Sequence, residues 1–401
     1  MSNKIQKRFS SVRCVPPQTT LSRAKAWASI ARISQVTDIT HLDRLGLPVF
    51  VSMRSQAQGS AATYGKGLVP IDAEVGAYME AIEYYFAEPT NSYVATQWGT
   101  AKDVAGADLR EDAILDFPPV FQKSVALDAP LLLAVAHDVE TARECLVPAE
   151  LVYYPAPNVG QSLFGSSTNG LASGNSVLEA TIHGLAEVIE RDIWSFEFIK
   201  DSSFLLNPQS LPANVGNIVE QATKEGLKLV IRYVPNDYGL AFFCAYLFDP
   251  NNLSPKLFNG GWGCHPHREI ALVRAVCEAA QSRLAFIHGS RTFVKPAKIP
   301  KDPHQQEDFL RQATHKVANQ AKIVSYTDIP DLDTITSIEE LWQVLLNCLR
   351  QVTDMPVYRV VYTPPEAPLQ VVRIIVPTLE DFKEATMRTG RRFKTAIDSM
   401  G

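Results

Sequence analysis

Residues 165–199 read GSSTNGLASGNSVLEATIHGLAEVIERDIWSFEFI, a loop rich in Ser, Thr, Asn and Gly that runs into a long helical stretch from Ser176. At about 100° per residue, Glu179, His183, Glu187 and Glu190 fall at roughly 0, 40, 80 and 20°, so they form one narrow stripe. Ile182, Ile189 and Ile193 flank that stripe on one side and Ala180, Val188 and Phe198 on the other, which leaves no broad solvated face. Carboxylates crowded together away from bulk water repel one another and lose hydration, a state that requires protonation or a neutralising cation. Hard divalent cations prefer oxygen ligands, and magnesium typically brings a phosphate with it. The stripe points to a magnesium nucleotide. His183 lies on it, either as a proton carrier or as a hydrogen-bond partner of one of the glutamates.

Two other helices repeat the pattern. Residues 72–88 read as a helix with Asp72 placed to cap it, and Glu80 and Glu83 share a face at i, i+3. Residues 269–288 follow a second glycine loop, 260–263, and put Arg274, Glu278 and Gln281 at roughly 0, 40 and 340°, with Arg283 close by. Arg191 and Arg274 are suited to grip phosphates as bidentate donors. One Glu-x-x-Glu is ordinarily a surface strip with weak salt bridges. Three acidic helices in one chain, two of them introduced by glycine loops, argue for a shared site.

Around these helices, residues 20–33 read as helical and 47–53 as a strand entering a core, and Gly65-Lys66-Gly67 marks a loop. Residues 227–234 and 240–248 form a hairpin about Pro235-Asn236-Asp237, and 371–376 is a buried strand stopped by Pro377. The segment 1–20 lacks periodicity and reads as a flexible N-terminal arm, 21–385 as the domain and 386–401 as a C-terminal tail.

Composition removes several alternatives. The 401 residues are 46% hydrophobic and 20% charged, enough to bury a core without staples and incompatible with disorder. A net charge of -5 supplies no cationic field for nucleic acid. The longest clean apolar run, 240–248, is too short to cross a bilayer, and the basic N-terminus has no apolar signal region, so a cytoplasmic protein without a membrane partner is expected. The six cysteines include no Cys-x-x-Cys and are expected as reduced thiols. Cys264, His265 and His267 could hold a metal, but no second half-site with ligand spacing is visible. The stretch 59–66 imitates a Walker loop, yet five residues separate its glycines and Gly67 stands where a Ser or Thr must ligate magnesium. A bound nucleotide needs another device.

The residues supply one through a resemblance. Ser173-Gly174-Asn175-Ser176 through Glu187-Val188-Ile189-Glu190-Arg191-Asp192 resembles the signature of the YcaO family. So do Gly65-Lys66-Gly67, Met79-Glu80-Ala81-Ile82-Glu83 and Arg274-Ala275 through Glu278-Ala279-Ala280-Gln281-Ser282-Arg283, in order over about residues 20–380. The stretch 36–50 is further similar to the subset of YcaO proteins that work beside TfuA-like partners. The resemblance implies an α/β fold with helices packed on antiparallel sheets around a central ATP site, generally as a homodimer. It implies an enzyme that uses ATP and Mg2+ to phosphorylate the oxygen of an amide carbonyl, usually in a ribosomally made precursor peptide. Carried over by position, Glu80, Glu83, Glu179, Glu187 and Glu190 would hold magnesium, while Lys66, Asn175, Arg191, Arg274, Glu278, Gln281 and Arg283 would contact nucleotide or order that shell.

The chain departs from the family pattern at Gly76, where a Ser is usual, at Tyr84, where an Arg is usual, and at Arg291-Thr292-Phe293, which replaces Arg-Asp-Asp. Its C-terminus also lacks the proline-rich tail of many azoline-forming members. Sulfur insertion to give a thioamide is the expectation, with an azoline- or amidine-forming cyclodehydratase as one alternative and a non-catalytic peptide-binding scaffold as another.

Overall fold

The computed structural model describes residues 5–7, 10–104, 113–159, 162–289, 300, 302–332, 334–383 and 386–399. The altered Arg291-Thr292-Phe293 segment lies outside the described residues. Eight α-helices are found among them: α1 Pro17–Trp27, α2 Pro70–Ala87, α3 Val177–Ile199, α4 Ala213–Lys224, α5 Arg268–His288, α6 Pro303–Val317, α7 Ile338–Arg350 and α8 Arg391–Asp398.

Three sheets carry the three acidic helices. A three-stranded antiparallel sheet, Ile33–Asp38, Val49–Arg54 and Ala62–Lys66, packs under α2. A six-stranded antiparallel sheet, whose members include Leu171–Gly174 at one edge beside Gln370–Ile375, packs under α3. A five-stranded sheet with Asn259–His265 at its edge, next to Ala241–Phe248, packs under α5. In that sheet the short strands Phe204–Leu206 and Ile323–Val324 run parallel, and Lys228–Tyr233 pairs with Ala241–Phe248 as the expected hairpin.

Each acidic helix follows the strand on which it lies, and the return is tight because the strand carries glycine and the helix carries alanine. A Cβ on Gly65 would stand 1.9 Å from the Ala73 carbonyl oxygen and 2.1 Å from the Ala77 nitrogen. On Gly263 it would stand 2.0 Å from the Ala271 oxygen, and on Gly261 2.2 Å from both the Ala275 oxygen and the Ala279 nitrogen. These glycines therefore bring backbones together in a packed layer, where a side chain would separate them. Residues 260–263, expected as a loop, are strand for this reason, and so is Gly65. Gly76, the departure from the usual Ser, packs on the same contact: its Cβ position is 3.1 Å from the Gly65 Cα.

The three units close into a ring. α2 also touches Leu171–Gly174, α3 touches Asn259–His265 and α5 touches Ala62–Lys66, so every acidic helix is wedged between its own sheet and the edge strand of the next. Further packing fixes α3: its core-facing Leu185, Ile189 and Ile193 are buried in one apolar cluster with Leu341 and Leu345 of α7. The N-terminal segment pairs with itself, Gln6–Lys7 with Val12–Arg13, and joins the rest through buried Val12 and through the Ile5 N–H, which donates to the Thr336 carbonyl at 3.2 Å. No described helix is long and apolar enough to cross a membrane.

Candidate functional site

A cavity of about 540 Å³ opens where the three units meet. Its wall includes all five glutamates expected as magnesium ligands, together with Lys66, His183, Arg191, Arg274, Glu278 and Gln281. Local chemistry places each of them. Ser176 caps α3 by accepting the Glu179 N–H at 3.1 Å, which sets Glu179 in the first turn, where the helix dipole favours a negative charge. One turn and two turns further along the same face come His183 and Glu187, and then Glu190. Asp72, expected as the cap of α2, is instead in its first turn, behind Val69 and Pro70.

Protein donors spread the glutamates along the wall. Glu80 Oε2 accepts the Tyr64 N–H at 2.6 Å, and Glu83 Oε1 accepts the Ser173 hydroxyl at 2.5 Å. Glu179, 1% exposed, accepts from the Cys14 N–H at 3.1 Å and from the Asn175 side-chain amide at 3.1 Å, with Arg13 Nε 3.6 Å away. Glu190 Oε2 accepts the Cys264 N–H at 3.1 Å, and Arg191 lies 3.7 Å from Glu190 and 3.8 Å from Glu187. Because each carboxylate is held by a different part of the wall, no group of three or more His, Cys, Asp or Glu among the described residues is gathered to hold a metal ion. The expected metal set shares one cavity without meeting at a point.

Electrostatics shows what the wall lacks. Seven carboxylates and five Lys or Arg side chains line the cavity. Burial pushes the Glu83 carboxyl up to about 8, opposed by the Ser173 hydrogen bond and assisted by the charges of Glu80 and Glu187. Burial also raises Glu187, with Arg191 opposing it. Glu278 is pushed up by burial, but Lys66, 3.0 Å away, and Arg191 outweigh that effect and hold it below its ordinary range. His183 is kept neutral, first by burial and then by Arg274, whose Nη1 is 3.5 Å from its Nε2. Its partner is therefore an arginine rather than the glutamate expected from the stripe. The Nε atoms of Arg191 and Arg274 are buried without a hydrogen-bond partner among the described residues. Carboxylates held off their charged form ask for a cation, and unpaired guanidinium donors ask for an anion. A divalent ion on a polyphosphate satisfies both at once, so the residues present fit a magnesium nucleotide.

The family model described as YcaO cyclodehydratase, ATP- and Mg2+-binding, matches residues 64–380. The chain belongs to the YcaO family. ATP and Mg2+ are the cofactors of that family. An uncharacterized protein of Methanothermobacter thermautotrophicus is 34% identical to this chain over 96% of its length and 99% of the relative's. An uncharacterized protein in the tfuA 3′ region of Rhizobium leguminosarum bv. trifolii is 29% identical over 96% of this chain and 93% of the relative. Among solved structures, the YcaO of Methanopyrus kandleri bound with AMPPCP and Mg2+ superposes with a TM-score of 0.77 at 24% identity, covering 96% of this chain and 98% of that one. That likeness is one of fold: helices on antiparallel sheets about a central cavity, as expected for a YcaO protein.

Two of the residues carried over from the YcaO signature are not on the cavity wall. Asn175 holds Glu179 from behind and bonds Thr20, while Arg283 is buried against Asp43 at 3.1 Å and the Leu257 carbonyl at 3.2 Å. Charged residues that sequence reasoning missed are on it, Arg13 and Lys383, and so is Tyr84, the departure from the family pattern. Arg13 comes from the segment read as an arm, where no periodicity announces it. Tyr84, in the place of the usual Arg, packs on Tyr154 with ring centroids 5.1 Å apart, and burial raises its hydroxyl well above the ordinary tyrosine range. Cys264, His265 and His267 stand behind the wall, and His265 Nδ1 accepts the His267 N–H at 2.9 Å, which turns the imidazole toward its own backbone.

Proposed function

We propose that the protein activates an amide carbonyl in a ribosomally made peptide at the expense of ATP, with external sulfur as the nucleophile, giving a thioamide. One observation carries the reading: acids and unpaired arginine donors from three separate helix-on-sheet units face a single cavity. When bound, ATP with Mg2+ supplies the phosphoryl group that makes an amide oxygen a leaving group. The chain's own residues do the holding. Glu80, Glu83, Glu179, Glu187 and Glu190 take the cation's charge, and Arg191 and Arg274 take phosphate oxygens through the Nε donors that lack a partner. Lys66 and Gln281 line the same wall, and the Lys66–Glu278 bond fixes α5 against the sheet of α2. Neutral His183 turns its Nε2 toward Arg274 Nη1 at 3.5 Å and so orients that guanidinium at the wall.

The position of a relative beside tfuA supports a TfuA-like partner and with it sulfur insertion. The family description, a cyclodehydratase, supports the second reading, in which an internal nucleophile closes an azoline or amidine ring. ATP use fits a cytoplasmic setting for either activity, and the homodimer implied by the resemblance is read from sedimentation of the purified chain. The deciding experiment incubates the protein with ATP, Mg2+, sulfide and precursor peptides encoded beside its gene. A gain of about 16 Da supports thioamidation and a loss of about 18 Da supports cyclodehydration, since both follow from one carbonyl activation. Absence of Mg2+-dependent ATP turnover with every peptide rejects both and leaves a peptide-binding scaffold.

A further inference from the structure

Lys383 lines the cavity but belongs to none of the three acidic helices; it lies between the strand Gln370–Ile375 and α8. Among the described residues its Nζ makes one charged contact, 3.7 Å to Asp381 Oδ1, which is too long for a hydrogen bond. Asp381 Oδ2 accepts from the Ser167 hydroxyl at 2.8 Å and from Arg388 Nη1 at 3.1 Å, while its Oδ1, the atom nearest Lys383, has no hydrogen-bond partner among the described residues. Lys66, by contrast, is bonded to Glu278 at 3.0 Å. An ammonium has three donors, and Lys383, whose side chain is 32% exposed at the cavity, holds them ready for whatever enters it. Burial holds the Lys383 ammonium below the ordinary lysine range, with Asp381 opposing that shift and Arg191 and Glu187 among the charges that reach it. Lys383 therefore stands within electrostatic reach of one residue read here as a phosphate donor and one read as a magnesium ligand.

We propose that Lys383 is a nucleotide-contacting residue whose ammonium takes an oxygen of the terminal phosphoryl group, the part that ADP lacks. The proposal rests on the ATP reading above. A compact point charge with three rotatable donors suits the group whose oxygens share charge during transfer, and it complements the flat guanidinium of Arg191. It also gives the C-terminal segment a direct part in the site.

The test is calorimetric titration of the full chain with AMPPCP and with ADP, each with Mg2+, for wild type, K383M and K383R, with the unfolding midpoint as a check of the fold. The expected result is that K383M weakens AMPPCP by about tenfold or more, leaves ADP within about twofold, and that K383R recovers part of the loss. Unchanged AMPPCP affinity, or equal weakening of both nucleotides, overturns the proposal. Where K383M unfolds, K383Q is judged by the same two criteria. If wild type binds neither nucleotide, the ATP reading itself fails; if wild type binds and K383M matches it, only the role of Lys383 fails.

Discussion

The Ser173 hydroxyl donates to Glu83 Oε1 across 2.5 Å, tying α2 to the strand that feeds α3. Even with that bond, burial and the nearby charges of Glu80 and Glu187 raise the carboxyl from an ordinary 4.5 to about 8. Below pH 4.5 the group is protonated in both the folded and unfolded chain and contributes no penalty. Between 4.5 and about 8 the unfolded chain releases a proton that the fold retains, so stability is lost as pH rises through that window. In the ligand-free protein, Glu83→Gln should therefore match wild type near pH 4.5 and exceed it above pH 8, by something on the order of a few kcal/mol. Chemical unfolding at the two ends of the window measures this, and a difference that does not change with pH would falsify it.

Glu187→Gln and Glu190→Gln should each lower Mg2+-dependent ATP turnover by about 100-fold or more, because each removes a charge placed for the cation. The fold should survive, since Gln keeps an acceptor for the Cys264 N–H that Glu190 now binds at 3.1 Å. Turnover assays paired with circular dichroism decide the matter. Wild-type rates in both variants would remove the magnesium site from the account.

Gly65→Ala should prevent folding or destabilise severely, because its new Cβ would stand 1.9 Å from the Ala73 carbonyl oxygen, a backbone atom that cannot step aside alone. Gly216→Ala, at the fourth residue of α4 with nothing within 4 Å of its Cβ position, should stabilise by about 0.5–1 kcal/mol through helix propensity. Thermal melts of the two variants compare them directly. Similar behaviour would mean that the strand–helix returns are looser than described.

Arg283→Met should destabilise by about 3–5 kcal/mol, since it strands Asp43 in a site where the two side chains are 6% and 4% exposed. Adding Asp43→Asn should recover part of that loss. In protein that remains folded, nucleotide affinity should stay near the wild-type value, because Arg283 is not on the cavity wall. A large loss of affinity without loss of stability would return Arg283 to the nucleotide shell.

Much of this architecture was legible along the chain. The acidic stripe of α3, the i, i+3 pair of α2 and the Arg274–Glu278–Gln281 strip of α5 are set by helical periodicity, which depends only on neighbours in sequence. The hairpin of Lys228–Tyr233 with Ala241–Phe248 was equally plain, because apolar runs flank a turn with Pro, Asn and Asp. Glycine was the ambiguous letter. Gly65, Gly261 and Gly263 lack a Cβ whether they bend a loop or admit a helix against a strand, and only the alanines at Ala73, Ala77, Ala271, Ala275 and Ala279, met in space, choose the second.

By itself the sequence determined which faces of three helices are acidic, that no Walker loop is present, and that some cation and some anion must meet those faces. The tertiary structure decided that the faces share one cavity, that Asn175 and Arg283 stand behind its wall, and that Arg13 and Lys383, from near opposite ends of the chain, stand in it. The reason is physical. A helical stripe is a property of successive residues, whereas a cavity charge is balanced by whatever side chains long-range packing brings within a few ångströms, and no local pattern records them.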